Sequence, residues 1–253
     1  MIDLHSHVLP GIDDGAATIE ESLGIARAAV ADGIAVLAAT PHVREDYPTT
    51  AATMERLLGD VQAAVAAAGV PLRVVGGGEL SLELAAGLPF EEVRRFGLAG
   101  NPGYVLVETP YRGWPLEIEQ RLFELRTNGI VPVLAHPERN GEVQAHPERL
   151  ERLVAAGTLV QVTAASLDGR LGRRARTCGL DLIGRGFAHL LASDAHAGTV
   201  RQIGMSAAVA AVGAGELADW LTVGVPGAIL RGEPVPPRPQ SRPRGLFGRL
   251  LHR

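Results

Sequence analysis

Lysine is absent from this chain: all 24 basic residues among its 253 are arginine. Amid so much alanine and glycine, that fits a GC-rich coding bias better than a functional demand. It still removes chemistry, because neither a Schiff-base lysine nor a carboxylated-lysine metal bridge is available. Cysteine is nearly as scarce. The lone Cys178 excludes an intramolecular disulfide and suits a reducing compartment. A cysteine-dependent tyrosine phosphatase needs an arginine six positions after its thiolate, but that position holds Gly184, and Arg185 comes one residue late. Cys178 therefore reads as a small, partly buried hydrophobe. No apolar run approaches the roughly 18 residues of a membrane-spanning helix. A net charge of −4 offers no surplus positive charge for nucleic acid or bulk membrane. Asp3, His5 and His7 stand where a signal peptide would be apolar, so the expected location is cytoplasmic.

What remains is an ordinary globular composition, 46% hydrophobic and 21% charged, long enough for a sizeable core. Short apolar runs alternate with helical stretches. Runs at 2–4, 34–39, 72–78, 104–108, 130–135, 158–162 and 189–193 predict buried strands. Helices are expected near 18–31, 50–68, 89–96, 115–128, 147–156 and 170–185, then at 200–212, 215–221 and 225–231. Thr18-Ile19-Glu20-Glu21 is a capping box for the first of them. Seven strands alternating with helices argue for a parallel α/β barrel over an open doubly wound sheet, for which no Gly-rich nucleotide loop speaks. One domain over residues 1–231 is expected. Residues 232–253 change character: five prolines lie between Gly232 and Arg244, which predicts an extended or disordered tail. Its basic, apolar end, Leu246 to Arg253, reads as a frayed terminus or as a peripheral dock on a partner or anionic lipid.

The chemistry sits at the ends of the apolar runs. His5 and His7 form a His-x-His pair that strand alternation turns to one side. His42, Glu79, Glu108 and His136 each close a later run, and Asp194 and His196 follow the last. Asp13 and Asp14 lie just beyond the first run, and spacing does not choose between them; whichever is not a ligand should cap the Gly15 turn or the next helix. A parallel barrel brings such ends to one rim. Imidazoles and carboxylates without thiolates suit a cluster of divalent ions. A buried strand-end glutamate needs a partner, and a metal supplies one. Arg44, Arg139 and Arg201 follow His42, His136 and His196 closely, a placement that suits phosphoryl oxygens. The other histidines, His146, His189 and His252, read as structural or solvent-facing.

Together, Met1-Ile2-Asp3-Leu4-His5-Ser6-His7, Gly11-Ile12-Asp13-Asp14-Gly15, Pro41-His42, Gly78-Glu79, Val107-Glu108-Thr109-Pro110-Tyr111-Arg112, Ala135-His136-Pro137-Glu138-Arg139 and Ala192-Ser193-Asp194-Ala195-His196 carry a resemblance. The chain, from residue 1 to about 231, resembles the metal-dependent protein-tyrosine phosphatases of bacterial capsular and exopolysaccharide operons, within the polymerase and histidinol phosphatase (PHP) superfamily. The resemblance implies a distorted seven-stranded barrel. It implies that His5, His7, Asp14, His42, Glu79, Glu108, His136, Asp194 and His196 hold three divalent metal ions, usually manganese. It makes Arg139 and Arg201 the phosphate-binding arginines. It further implies hydrolysis of phosphotyrosine by a metal-activated hydroxide, on the tyrosine cluster of a membrane-associated autokinase that governs polymer export. The rival readings are a small-molecule phosphatase of the histidinol-phosphatase type, an amidohydrolase, for which the usual bridging lysine is missing, and a catalytically inactive kinase-binding scaffold.

Overall fold

The computed structural model describes residues 1–197 and 201–240. In chain order the elements are β1 (Ile2–Asp3), α1 (Ile19–Ala31), β2 (Val36–Ala38), β3 (His42–Val43), α2 (Ala51–Ala67), β4 (Arg73–Val75), β5 (Glu79–Ser81), α3 (Leu82–Gly87), α4 (Phe90–Arg95), β6 (Tyr104–Glu108) and α5 (Ile118–Thr127). There follow β7 (Val131–Ala135), α6 (Gly141–Ala145), α7 (Leu150–Ala155), β8 (Leu159–Thr163), α8 (Ala164–Leu167), α9 (Arg173–Arg185), β9 (Leu190–Ala192), α10 (Met205–Val212), α11 (Glu216–Asp219) and, after one π-helical turn, α12 (Val225–Arg231). Every strand pairing is parallel. The inner strands are accordingly apolar almost throughout: Val105, Leu106, Val107, Val133, Leu134, Val160 and Val162 have no exposed surface. Both faces of such a sheet are covered by the crossover helices.

The strands do not form the single seven-stranded barrel expected from the sequence. Among the described residues nine short strands lie in two sheets, ordered β1-β2-β4 and β3-β5-β6-β7-β8-β9. The difference arises after two expected strands, those at 34–39 and 72–78, each of which ends early and is followed by a further short strand in the other sheet. After β2 the chain passes through Ala39-Thr40-Pro41 and restarts as β3; after β4 it passes through Gly76-Gly77-Gly78 and restarts as β5. Pro41 lacks the N–H that a continuous ladder would use. Gly78 marks a close approach, since a Cβ there would lie 2.7 Å from the Phe96 ring. The first and last strands approach each other through an isolated bridge between Ser6 and Ala195, with His7 N donating to Ala195 O at 2.9 Å.

Local signals behave largely as expected. Thr18 caps α1 by accepting from Glu21 N, although the Glu21 carboxylate returns to Ala17 N rather than to Thr18. Residues 233–240 form no helix or strand and lie against the domain. Trp220 Nε1 donates to Pro236 O at 2.9 Å. Arg238 donates to Ile183 O in the last turn of α9 at 2.6 Å and to Ala188 O beyond that helix at 3.2 Å, and its guanidinium lies 5.7 Å from the Trp220 ring centre. The basic terminus expected at Leu246 to Arg253 lies outside the described residues.

Candidate metal centre

Parallel register delivers the side chains to one end of the strands. His42 pairs with Glu79, Ser81 with Glu108, and Glu108 with Ala135, the residue before His136. His5 and His7 follow β1, and Asp194 and His196 follow β9. Two of these residues have left-handed backbones, His136 at φ 36° and Asp194 at φ 52°. Such strain in a non-glycine residue persists only where the surroundings enforce it. Here His136 N is held by Gln161 O and Asp194 N by His5 O, both at 2.9 Å.

All nine expected ligands converge. They fall into four overlapping groups whose donor atoms lie within 4.8 Å of one another: His7, Asp14, His42 and His196; His5, Glu79 and His136; His5, His7 and Asp194; His42, Glu79 and Glu108. The sharing of His5, His7, His42 and Glu79 makes this one continuous cluster. His5 Nε2 and His7 Nε2 stand 3.2 Å apart, each 3.3 to 3.5 Å from oxygens of Glu79 and Asp194. Asp14 Oδ1 lies 3.3 Å from His42 Nε2 and 3.1 Å from His196 Nε2. His42 Nδ1 and Glu79 Oε2 are 2.9 Å apart, yet both are buried without a hydrogen-bond partner. Eight of the nine side chains are 7% exposed or less, the exception being Asp14. Buried donors converging in this way, with no thiolate among them, fit divalent ions.

The far sides of the rings are tied down. His5 Nδ1 meets Gln161 Oε1 at 3.1 Å, His7 Nδ1 meets Asp13 Oδ2 at 2.7 Å, and His196 Nδ1 meets Asp194 O at 2.9 Å. Such bonds fix each ring so that its other nitrogen faces the cluster. Asp13 therefore does more than the turn capping expected of it. Its Oδ1 does accept from Gly15 N, but its Oδ2 also accepts from His42 N. Gly15 closes this loop directly on His7: a Cβ there would fall 2.1 Å from His7 O. Neither Gln161 nor Tyr111 was singled out as functional from the sequence. A glutamine in the middle of the buried Leu159–Thr163 strand was the one available signal for the former.

Charge is concentrated here. Burial would depress the His5 and His7 pKa values, but Glu79 and Asp194 beside His5, and Asp13 beside His7, raise both. His42 is raised to about 9, burial being outweighed by Asp14 and Glu79. Burial opposes ionisation of Glu79 and Asp194, yet the surrounding histidines hold both well below the ordinary carboxylate range. A metal entering such a site displaces protons from imidazole. Three arginines close the rim. Arg139 Nη1 donates to Asp194 Oδ2 at 2.7 Å, Arg201 reaches both Asp194 and Asp14, and Arg44 donates to Glu108 Oε2 at 3.1 Å.

The residues read as structural stay away. His189 Nδ1 accepts from Val160 N, and exposed His146 pairs with Glu148; His252 lies outside the described residues. Burial pushes the Cys178 thiol up to about 12, which removes it as a thiolate nucleophile.

A parallel α/β scaffold with a buried His/Asp/Glu cluster under an arginine rim has the site of a metal-dependent hydrolase for anionic substrates. The chain belongs to the capsular polysaccharide synthesis family CpsB/CapC, whose family model matches residues 1–219. It is 33% identical over 261 residues to tyrosine-protein phosphatase YwqE of Bacillus subtilis, covering 98% of this chain and 99% of that one. Tyrosine-protein phosphatase CpsB of Streptococcus agalactiae is 25% identical over 208 residues, 78% of this chain and 83% of its own. A crystal structure from the pair YwqE of Bacillus subtilis and CpsB of Streptococcus pneumoniae, described as unique metal-dependent tyrosine phosphatases, superposes with a TM-score of 0.84. The two are 31% identical, with 96% of this chain and all of that one covered.

Proposed function

We propose that this chain is a metal-dependent protein-tyrosine phosphatase acting on an autophosphorylating tyrosine kinase of capsular or exopolysaccharide synthesis. The observation that carries the reading is the convergence of nine donor side chains, eight of them buried, beside Arg139 and Arg201. Its relatives named tyrosine-protein phosphatase support the reaction class. The nine residues hold three divalent ions, manganese being our assignment, and the enzyme works in the cytoplasm. Among the described residues no helix is long and apolar enough to cross a membrane.

Ions bound there supply Lewis acidity toward phosphoryl oxygens and lower the pKa of water. The remaining work falls to the chain. Arg139 and Arg201, now paired with Asp194 and Asp14, turn guanidinium N–H groups toward the phosphate and offset the charge that builds up during in-line attack. A tyrosine phosphoester leaves as phenolate, whose conjugate acid has a pKa of about 10, so expulsion needs less proton donation than for an alkyl ester. Asp13 and Gln161 keep the His7 and His5 rings oriented.

The test is metal removal. Chelation should abolish turnover of a phosphotyrosine peptide, and manganese should restore it above magnesium or zinc. His136→Ala and Glu108→Ala should each lose bound metal together with most of the turnover. Full activity in a metal-free preparation would sink the proposal. Faster turnover of histidinol phosphate than of the peptide would assign the site to a small-molecule phosphatase instead.

A further inference from the structure

One aromatic side chain at the rim is not accounted for by the metal cluster. Tyr111 follows β6 by three residues, in the segment after Glu108. Its ring lies 6.1 Å from the His136 ring at an interplanar angle of 16°, and the Arg139 guanidinium sits 4.6 Å from its centre. It is nevertheless 42% exposed. An aromatic ring left this open, between a buried imidazole and an arginine of the rim, has a further face to offer. That face borders a cleft of about 930 Å³, lined also by Arg44, Pro48, Leu84, Glu108 and Pro110. Glu108, a member of the cluster whose Oε1 is buried and unpartnered, lines the same cleft, so the cleft borders the cluster.

We propose that Tyr111 is the aryl-recognition residue of this site: the phenyl ring of the substrate packs against Tyr111 in the cleft while its phosphate lies under Arg139. The inference rests on the phosphatase reading and adds to it the feature that separates aryl from alkyl phosphates at the binding step. Offset or edge-to-face aromatic pairs supply the attraction. The same ring fixes the Arg139 fork through a cation–π contact, so phosphate and aryl group are held in one register. A methyl or hydroxyalkyl phosphate would reach the same arginines with nothing to place against Tyr111.

Non-reacting analogues isolate this term from leaving-group chemistry. Phenylphosphonate and methylphosphonate are to be compared as competitive inhibitors of the metal-loaded wild type, Tyr111→Phe and Tyr111→Ala. Metal content and melting temperature are measured for each, and phosphotyrosine-peptide turnover by the wild type is established first. Tyr111→Ala should weaken phenylphosphonate about 3- to 10-fold more than it weakens methylphosphonate, the scale of one aromatic pair. Tyr111→Phe should match the wild type with both. In turnover, the loss in Tyr111→Ala should fall on KM for the aryl substrate more than on kcat. Equal weakening of both inhibitors would reduce Tyr111 to a support for Arg139 and overturn the proposal, as would no change in either. A wild type without phosphotyrosine turnover would instead remove the phosphatase reading itself.

Discussion

Asp13 and Asp14 are adjacent and chemically identical, and their surroundings give them different tasks. Asp14 Oδ1 faces His42 and His196, whereas Asp13 binds the outer nitrogen of His7 and the His42 N–H. Asp13→Ala should therefore keep every expected ligand and still weaken manganese binding by about 10- to 100-fold, the usual cost of losing such a support. An unchanged metal titration would return Asp13 to turn capping alone. The arginines predict the converse. Arg139→Ala and Arg201→Ala should raise KM or lower kcat with metal content near that of the parent, and unchanged kinetics in both would make them plain surface charges. His189 gives a pH prediction away from the cluster. Burial pulls its pKa down to about 4, against a bond that the ring donates to the Phe187 backbone and with help from Arg238. Its neutral Nδ1 accepts from Val160 N. Between that value and the unfolded 6.5 the unfolded chain binds the extra proton, so the contribution to stability is lost as pH falls. The loss between pH 7 and pH 5 is on the order of 2 kcal/mol. His189→Gln should show a smaller shift in urea midpoint over that interval than the wild type; an equal shift would mean that other groups carry it.

Among the elements, the strands that were legible are those whose apolar run is uninterrupted: Tyr104–Glu108, Val131–Ala135 and Leu159–Thr163 lie within a residue of their expected bounds. The runs at 34–39 and 72–78 were readable as strands, but not as strands that break and change sheet. What breaks them is the contact of Gly78 with Phe96 and the placement of Pro41, which local periodicity does not register. The converging set was legible because eight of its nine members end or closely follow an apolar run, whereas Asp14 was set apart from Asp13 only by the family resemblance. Asp13, Gln161 and Tyr111 were not, because their roles depend on which remote ring each meets. Over the described residues 233–240 the proline-rich segment forms no helix or strand, as its composition implies, but composition says nothing of Arg238 reaching the carbonyls of Ile183 and Ala188. Truncation after Gln240 should accordingly leave melting and small aryl phosphate turnover unchanged. Truncation after Glu233 strips the acceptor from buried Trp220 and should cost about 1–3 kcal/mol. Equal melting temperatures for the two truncations would show that the docked segment contributes nothing.

At the level of the whole molecule, the cluster draws on both sheets. His5 and His7 extend from β1 in the smaller sheet, while His42, Glu79, Glu108, His136, Asp194 and His196 belong to strands of the larger one or follow them directly. Ions bound there would join segments whose strand pairing ends at the isolated Ser6–Ala195 bridge. The folded state presents this donor set and the unfolded chain does not, so metal binding is linked to stability. Free manganese at 100 times its Kd should stabilise the protein by about 2.7 kcal/mol for a single site. For a chain of this size that corresponds to roughly 5–10 °C in melting temperature. Protons compete for the same imidazoles, so the increment should shrink as the solution is acidified. Thermal melts with manganese and with chelator, at pH 8 and pH 6, read this directly. Glu79→Ala should lose most of the increment, because Glu79 belongs to two of the four donor groups, whereas Arg139→Ala should keep it. Superimposed melts with and without manganese at both pH values would mean that the nine side chains converge without binding the ion.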